Sequence, residues 1–407
     1  MTILHSYSTL SPLHFRTTSL SSPRFTITGS ILPFTKQKAK YHKELEAAVD
    51  VVERACCLCV EVKKSLFSSE GRILEKNDQT PVTIADFGVQ ALVSLELGRL
   101  FPSIPLVAEE DSAFLRSNNL ANSVLDVVFD KAEFSGKPLS EDDVLDTIDR
   151  GGKDAFVFGS SPATYWVLDP IDGTKGFLKG SEALYVVGLS LVVEGDVVLG
   201  VMGCPNWQEE DSSKPTIEIQ EYNDIISRLG VVMVAHVGCG TWKKRLNDIS
   251  SNTENMAGSW IRCFVDKYSI IKEASFCISD SQLWESLPLS NSFDATTDIQ
   301  SVSENQILLP VCCGSLCKYL MVASGRASVF ILRSRVDRII KVWDHAVGII
   351  CVQEAGGMVT DWEGSKIDLA ADQEDRRALF PSGGVLVTNG NVHDHILMLI
   401  SSSKSIA

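Results

Sequence analysis

The segment Trp166-Val167-Leu168-Asp169-Pro170-Ile171-Asp172-Gly173-Thr174 brings two carboxylates, three residues apart, to the end of an apolar run. A glycine, a hydroxyl and Lys175 follow. Hard divalent cations such as Mg²⁺ take oxygen ligands and keep several waters, so one or two carboxylates plus a substrate phosphate is their common setting. Pro170 fixes its own φ, which helps hold Asp169 and Asp172 convergent, and Gly173 lets a ligand approach the backbone. A helix beginning near Thr174 would aim free N–H groups at a phosphate. A bare Asp-x-x-Asp-Gly is more often an ordinary turn after a strand. Here further carboxylate-bearing segments weigh against that reading.

Four segments supply matching chemistry. Lys76 to Asp86 is a polar loop entering a helix, with Asp86 in the first turn. Val107-Ala108-Glu109-Glu110-Asp111 is a strand ending in three acids. Ser315-Leu316-Cys317-Lys318 sets a hydroxyl and an ammonium on one face at a helix start. Trp343-Asp344-His345-Ala346 opens another helix, which runs towards Glu354-Ala355-Gly356-Gly357. Strand ends and helix N-termini are where α/β proteins collect ligands. Taken singly, each has a plain alternative: Asp86 and Asp344 as partners of a helix dipole, Glu109 as a solvated strand end, Ser315 as an N-cap, Lys318 as a surface charge. Holding all of these alternatives at once is much harder.

The elements that must position these residues follow from periodicity. An amphipathic helix is expected from Tyr41 to about Phe67, with Val49, Val52, Cys56 and Cys59 on one face. A second helix is expected over Val82–Leu100, with Thr83 as N-cap and Phe101-Pro102 as the stop. Ile104–Ala108 reads as a short strand, and residues 112–155 as helical and acidic. Strands are expected at Ala163–Leu168, Leu184–Val193 and Val197–Gly203, the last two joined through Glu194-Gly195-Asp196 as a hairpin. The polar run Gln208–Pro215 divides the chain into an N-terminal half, 41–207, carrying most of the candidate ligands, and a C-terminal half, 208–407, carrying Asp344. The second half mixes strands (Val231–Val237, Ala327–Leu332, Gly384–Val387) with helices (Leu316–Gly325, Trp343–Ala355, Val392–Ser401). Alternation of this kind predicts α/β or α+β layering, not a bundle or a sandwich of sheets alone.

Composition narrows the function. The chain has 407 residues, 44% of them hydrophobic, enough for a sizeable core. Its formal charge is −15, yet no acid precedes Glu44, while Arg16, Arg24, Lys36, Lys38, Lys40 and Lys43 do. Without those six basic residues, 31 Lys and Arg face 52 Asp and Glu. So acidic a body repels polymeric nucleic acid, whereas small phosphorylated substrates stay open if metal ions invert the local field. Residues 1–40, rich in Ser and Thr and free of acids, have the composition of an organellar transit peptide, for mitochondrion or chloroplast; a disordered tail is the alternative. No apolar run is long enough to span a membrane. Eleven cysteines make no disulfide framework. Cys56-Cys57-Leu58-Cys59 reads as core packing, and Cys312, Cys313 and Cys317 lack a histidine at zinc spacing.

The run from Trp166 to Phe177, together with Trp343-Asp344-His345-Ala346 and Glu354 to Gly357, resembles the paired signatures of the lithium-sensitive, Mg²⁺-dependent phosphatase superfamily. That group includes inositol monophosphatases, inositol polyphosphate 1-phosphatases and 3′(2′),5′-bisphosphate nucleotidases. Asp78-Gln79-Thr80-Pro81-Val82-Thr83 with Asp86, Asp172 to Gly180, and Ser315 to Tyr319 look most like the nucleotidase branch, in its plant organellar form. The resemblance spans roughly residues 44 to 400. It implies an inositol monophosphatase/fructose-bisphosphatase-like α-β-α-β-α sandwich with the metal site between the halves. It implies Glu109, Asp169, Asp172, Asp344 and the carbonyl of Ile171 as ligands of about two or three Mg²⁺ ions. Asp86 and Thr174 match the pair that handles the attacking water. Gly173, Thr174, Ser315, Lys318, Arg333 and Asp344 match substrate contacts.

Departures concern the substrate side. The branch carries a nucleotide-contacting histidine, but Ser279-Asp280-Ser281-Gln282-Leu283-Trp284-Glu285-Ser286 contains none, Arg333 aligns only with one extra residue allowed, and Val347 replaces an alanine. The implied activity is removal of the 3′-phosphate of adenosine 3′,5′-bisphosphate to leave AMP, with its sulfated precursor as a second substrate. The alternatives are an inositol polyphosphate 1-phosphatase and an inactive nucleotide-binding or scaffold protein on the same fold. All six catalytic side chains being present argues against the inactive form.

Overall fold

The computed structural model describes residues 32–68, 74–75, 81–129, 131–132, 139–160, 163–179, 183–208, 230–246, 260–279, 287, 289, 308–311, 314–335 and 338–404. The loop 76–80, the stretch 280–286 and Cys312 and Cys313, all singled out above, lie outside them, as do residues 1–31 and 209–215.

In chain order the helices are α1 His42–Ser68, α2 Ile84–Leu100, α3 Ala113–Asn118, α4 Ala121–Phe129, α5 Glu141–Asp149, α6 Thr174–Leu178, α7 Leu316–Ala323, α8 Ala346–Glu354 and α9 His393–Lys404. The strands are β1 Leu74–Glu75, β2 Pro81–Val82, β3 Leu106–Ala108, β4 Thr164–Asp172, β5 Val186–Val193, β6 Asp196–Cys204, β7 Val231–His236, β8 Gly240–Arg245 and β9 Ile261–Arg262. They continue as β10 Phe276–Ser279, β11 Leu308–Val311, β12 Val329–Arg333, β13 Ile340–Lys341, β14 Met358–Asp361, β15 Ala378–Leu379 and β16 Gly384–Thr388.

Seven strands form one sheet in the order β3-β4-β5-β6-β7-β8-β9, antiparallel except where β3 runs beside β4. A five-stranded sheet has the order β11-β10-β12-β16-β14. The first sheet is covered on both faces, which explains why β5 is a nearly unbroken apolar run, buried throughout up to Val192. Its Val187, Leu189 and Leu191 join the core beneath α1 and α2, while Val186 and Val192 join the core beneath α7 and α8. Gly188 is needed where α7 and α8 close in, because a Cβ there would lie 2.4 Å from Leu316. The second sheet packs Phe276, Val329, Ile331 and Leu386 against Ile396 and Ile400 of α9. Helices, sheet, helices, sheet and helix therefore alternate, as the layered α-β-α-β-α expectation had it.

Local chemistry accounts for the main elements. On α1, Leu45, Ala48, Val49, Val52, Ala55, Cys56 and Cys59 recur at helical spacing and are fully buried. Thr83 caps α2 as expected: its hydroxyl accepts from Ala85 N, and Asp86 accepts from Thr83 N in a capping box. The β5–β6 hairpin turns through Glu194 and Gly195, both with positive φ (54° and 86°), the two-residue turn that suits strand twist.

Three boundaries differ from expectation. β4 continues past Leu168 to Asp172. β7 and β8, beyond the division at 207/208, extend the first sheet through backbone pairing with β6, so a polar linker in sequence is no break in the sheet. Leu32, Phe34 and Ala39, inside the leader assigned by composition to 1–40, are buried in the core with α1, and Tyr41 N donates to Nε2 of His236 (3.2 Å). Burial, not composition, places 32–40 with the body.

A chain beginning at Tyr41 should therefore be less stable to urea than one beginning at Leu32, by about 2–4 kcal/mol for the lost apolar burial. Equal midpoints would show that 32–40 contributes no packing.

Candidate active site

β4 and its pairing create the centre. Side chains alternate along a strand, so Asp169 and Asp172, three apart, would ordinarily face opposite ways. The register shifts between them: Asp169 pairs with Gly188 and Asp172 with Val186, so two residues, Pro170 and Ile171, stand against one. This bulge restores both carboxylates to one side, and Pro170 costs no ladder bond there. Asp344, two residues before α8, completes a cluster in which one carboxylate oxygen from each of the three lies within 4.8 Å of the others.

Asp172 is also an anchor. Its Oδ1 accepts from Ser315 N (2.9 Å) and its Oδ2 from Leu316 N (2.7 Å), so it serves the exposed amides at the start of α7 from 143 residues away. Only glycine fits at 314, since a Cβ would come within 1.9 Å of Asp172 Oδ2. Lys318, one turn on, is 1% exposed and folds its Nζ back onto Gly314 O (2.6 Å), with its charge near Asp172. The resemblance implies Lys318 as a substrate contact; in the structure its side chain is buried, with the ammonium on Gly314 O. Ser315 contributes its backbone N–H to Asp172, and its hydroxyl makes no capping bond.

Asp86 reaches the centre from α2. Its Oδ2 accepts from Thr83 N (2.8 Å) and Thr83 Oγ1 (2.6 Å), which leaves Oδ1 facing Thr174 Oγ1 at 3.2 Å. That same hydroxyl lies 3.2 Å from Ile171 O. Gly173 makes the turn between β4 and α6 in the left-handed region (φ 90°), where other residues are strained. Glu109, half-buried just beyond β3, adds its charge to the cluster. The structure thus gathers Asp86, Glu109, Asp169, Ile171, Asp172, Thr174 and Asp344. Arg333 stands exposed at the end of β12, opposite Gly384 in register.

Electrostatics mark this as a centre built for positive charge. Burial, and then the charges of Glu109, Asp172 and Asp344, hold the Asp169 carboxyl far above the ordinary carboxylate range. Burial and the charges of Asp172 and Glu109 do the same to Asp344 against a hydrogen bond with Asp169. Asp172 is pushed up by burial to about 6, with Lys318 and the two α7 amides pulling it down. Oδ1 of Asp169 is buried without a hydrogen-bond partner among the described residues. Oxygen-only donors, an orphaned carboxylate oxygen and crowded negative charge fit hard divalent cations. His345, beside Asp344, is buried and neutral, its pKa lowered by burial to about 3, and its Nδ1 meets Tyr319 OH at 2.8 Å.

Sequence reasoning missed Gln90. Buried on α2, its amide donates to Glu110 O (2.6 Å) and Ile148 O (3.0 Å) and accepts from Glu110 N (2.8 Å), which fixes the strand end carrying Glu109. A polar residue inside the apolar run Phe87–Val93 of α2 was the available signal. Arg377 was also missed, and nothing in Asp372-Gln373-Glu374-Asp375-Arg376-Arg377 marks it as more than a charged loop.

Residues 41–405 match the model of the inositol monophosphatase family. An Arabidopsis thaliana protein provisionally named as a mitochondrial 3′(2′),5′-bisphosphate nucleotidase is 62% identical over 382 residues, 94% of this chain and 92% of its own. The 3′,5′-bisphosphate nucleotidase 2 of the same plant is 34% identical over 89% of this chain and 97% of its own. A 3′(2′),5′-bisphosphate nucleotidase of Oryza sativa is 33% identical over 89% and 95%. Among solved structures, a Thermotoga maritima inositol monophosphatase superposes with a TM-score of 0.52 over 89% of this chain and 98% of that one, at 19% identity.

A carboxyl raised on folding adds stability that is complete below its unfolded pKa and lost as pH rises through its folded value. For Asp172 that window runs from about 4 to about 6. Asp344 is raised as well, so Asp344→Asn, freed of a buried charge, should be more stable than the wild type at pH 7.5 in EDTA. The advantage should shrink below pH 4, and Mg²⁺ should stabilise the wild type far more than the variant. A variant that is less stable in EDTA at pH 7.5 would refute the crowding described here.

Proposed function

Because the chain belongs to the inositol monophosphatase family, we propose that it is a Mg²⁺-dependent phosphomonoesterase that removes the 3′-phosphate of adenosine 3′,5′-bisphosphate and leaves AMP. The observation that carries this reading is the clustered trio of buried Asp169 and Asp172 with half-buried Asp344, beside the hydrogen-bonded pair Asp86 and Thr174. The nucleotide is supported by relatives at 62%, 34% and 33% identity whose names specify a bisphosphate nucleotidase. The sulfated analogue of the same nucleotide carries the same 3′-phosphate and is proposed as a second substrate. The name of the 62% identical relative also supports delivery to the mitochondrion by the basic, acid-free leader.

Glu109, Asp169, Asp172, Asp344 and the carbonyl of Ile171 would hold the ions. When bound, divalent cations supply Lewis acidity and neutralise charge on the phosphoryl group. The hydrogen bonds Asp172 already accepts leave lone pairs free on both of its oxygens, and Ile171 O likewise keeps one. The attacking water would give its hydrogen bond to Thr174 Oγ1. That hydroxyl donates in turn to Asp86 Oδ1, so the proton lost by water reaches the Asp86 carboxylate through one hydroxyl. The capping bonds from Thr83 N and Oγ1 fix the other oxygen, so Asp86 cannot rotate away from Thr174. Gly173 and Thr174 would meet the phosphate at the turn into α6. His345, buried against Tyr319, orients the chain next to Asp344.

Purified protein should release phosphate from adenosine 3′,5′-bisphosphate only with Mg²⁺, and much more slowly from inositol 1,4-bisphosphate. Faster release from the inositol compound would transfer the assignment to a sugar-alcohol phosphatase. Asp86→Asn should lower kcat about 10²- to 10⁴-fold with little change in KM. A kcat within tenfold of the wild type would remove Asp86 from the proton path.

A further inference from the structure

We infer that Arg377 is a positioning residue that sets the Glu109 side of the centre against the Asp344 side. The inference rests on the metal-dependent reading above. The Arg377 guanidinium donates from Nη2 to Glu109 O (3.3 Å) and from Nη1 to Gly151 O (3.2 Å). Gly151 O also accepts from Ala108 N (2.9 Å), so both carbonyls that Arg377 holds belong to the structure around the end of β3. The guanidinium carbon stands 4.7 Å from the centroid of the Trp343 ring, and Trp343 immediately precedes Asp344. One planar group thus touches the segments that deliver carboxylates from either half of the chain.

Arg377 is itself held in place. Its N–H donates to Asp372 Oδ2 (2.9 Å), and its carbonyl accepts from Val342 N (2.9 Å), beside the ribbon of β13 and β15 that leads into Trp343. Arg376 secures the same loop from within, donating to Asp372 O (3.0 Å) and Gly159 O (2.8 Å). Two donors in a fixed fork and a flat face for stacking are properties of arginine that lysine lacks. Charge and position make opposite demands here. Arg377 lies near Glu109, Glu110 and Asp111, so as a mere cation it would compete with a bound metal, and its loss would tighten metal binding. As a positioning group, its loss would loosen Glu109 against Asp344 and weaken binding.

Calorimetric titration of Mg²⁺ into EDTA-treated, dialysed full-length protein separates the two. Arg377→Ala and Arg377→Lys should both raise the Mg²⁺ Kd by about 10- to 100-fold, the usual cost of removing a group that orients metal ligands. kcat at saturating Mg²⁺ should recover towards the wild type. Trp343→Leu, which removes the stacking platform together with part of the core, should weaken Mg²⁺ in the same direction, and Arg377→Lys, which leaves the core intact, carries the test if Arg377→Ala does not fold. Unchanged or tighter Mg²⁺ binding by Arg377→Ala, or wild-type affinity in Arg377→Lys, overturns the inference while leaving the phosphatase reading intact. A wild type that binds no Mg²⁺ overturns both.

Discussion

Crowding negative charge inside a protein is the constraint on which the rest of this structure turns. Asp169, Asp172 and Asp344 share one small volume, with Glu109 and Asp86 adding to the potential. In a medium of low dielectric, like charges so close and so poorly solvated cannot all stay ionised, and burial alone pushes each towards its neutral form. Such an arrangement persists only if the surrounding fold is stable enough to bear it. Oxygen donors so assembled and so poorly solvated suit a cation, in keeping with the metal-dependent reading proposed above.

The fold meets that demand by tying each acid to a different rigid element. A bulge in β4 turns Asp169 and Asp172 to the same side. The start of α7 gives two amides to Asp172, so helix formation in the second half depends on a strand residue of the first. The capping box of α2 orients Asp86, and Gln90, one turn further, holds the strand end that carries Glu109. Lys318 offsets part of the charge from beneath, where it stays out of solvent. Local capping chemistry and site chemistry are therefore the same interactions seen from two sides. Improving one in isolation would disturb the other.

Much of this was legible before any coordinates. Thr83 as N-cap with Asp86 in the first turn, and Glu194-Gly195 as a hairpin turn, are short-range patterns whose physics lies within a few residues, and both stand as expected. Runs buried on two faces, such as Val186–Val193, also read correctly as strand. Readings failed where a residue's surroundings come from far away. Nothing local in Ser315-Leu316-Cys317-Lys318 shows that the Lys318 side chain is buried against Gly314 O. Leu32, Phe34 and Ala39 look like leader until burial shows them packed. Extension of β4 through Asp172 was missed because a bulge has no periodicity to detect.

By itself the sequence determined the kind of chemistry, since carboxylates, a hydroxyl and a glycine turn at these spacings suit a hard cation and a phosphate. It also determined the family, because those spacings are local and survive as text. Only the tertiary structure decided which acids share a volume, which of them also anchors a helix start, and which basic residue is buried near Asp172 and which holds the end of β3. The physical reason is range: backbone angles and caps are set by neighbours in the chain. The anchoring of Asp172 at the start of α7, and the hold of the Arg377 guanidinium on the end of β3, join residues 143 to 268 apart in the chain.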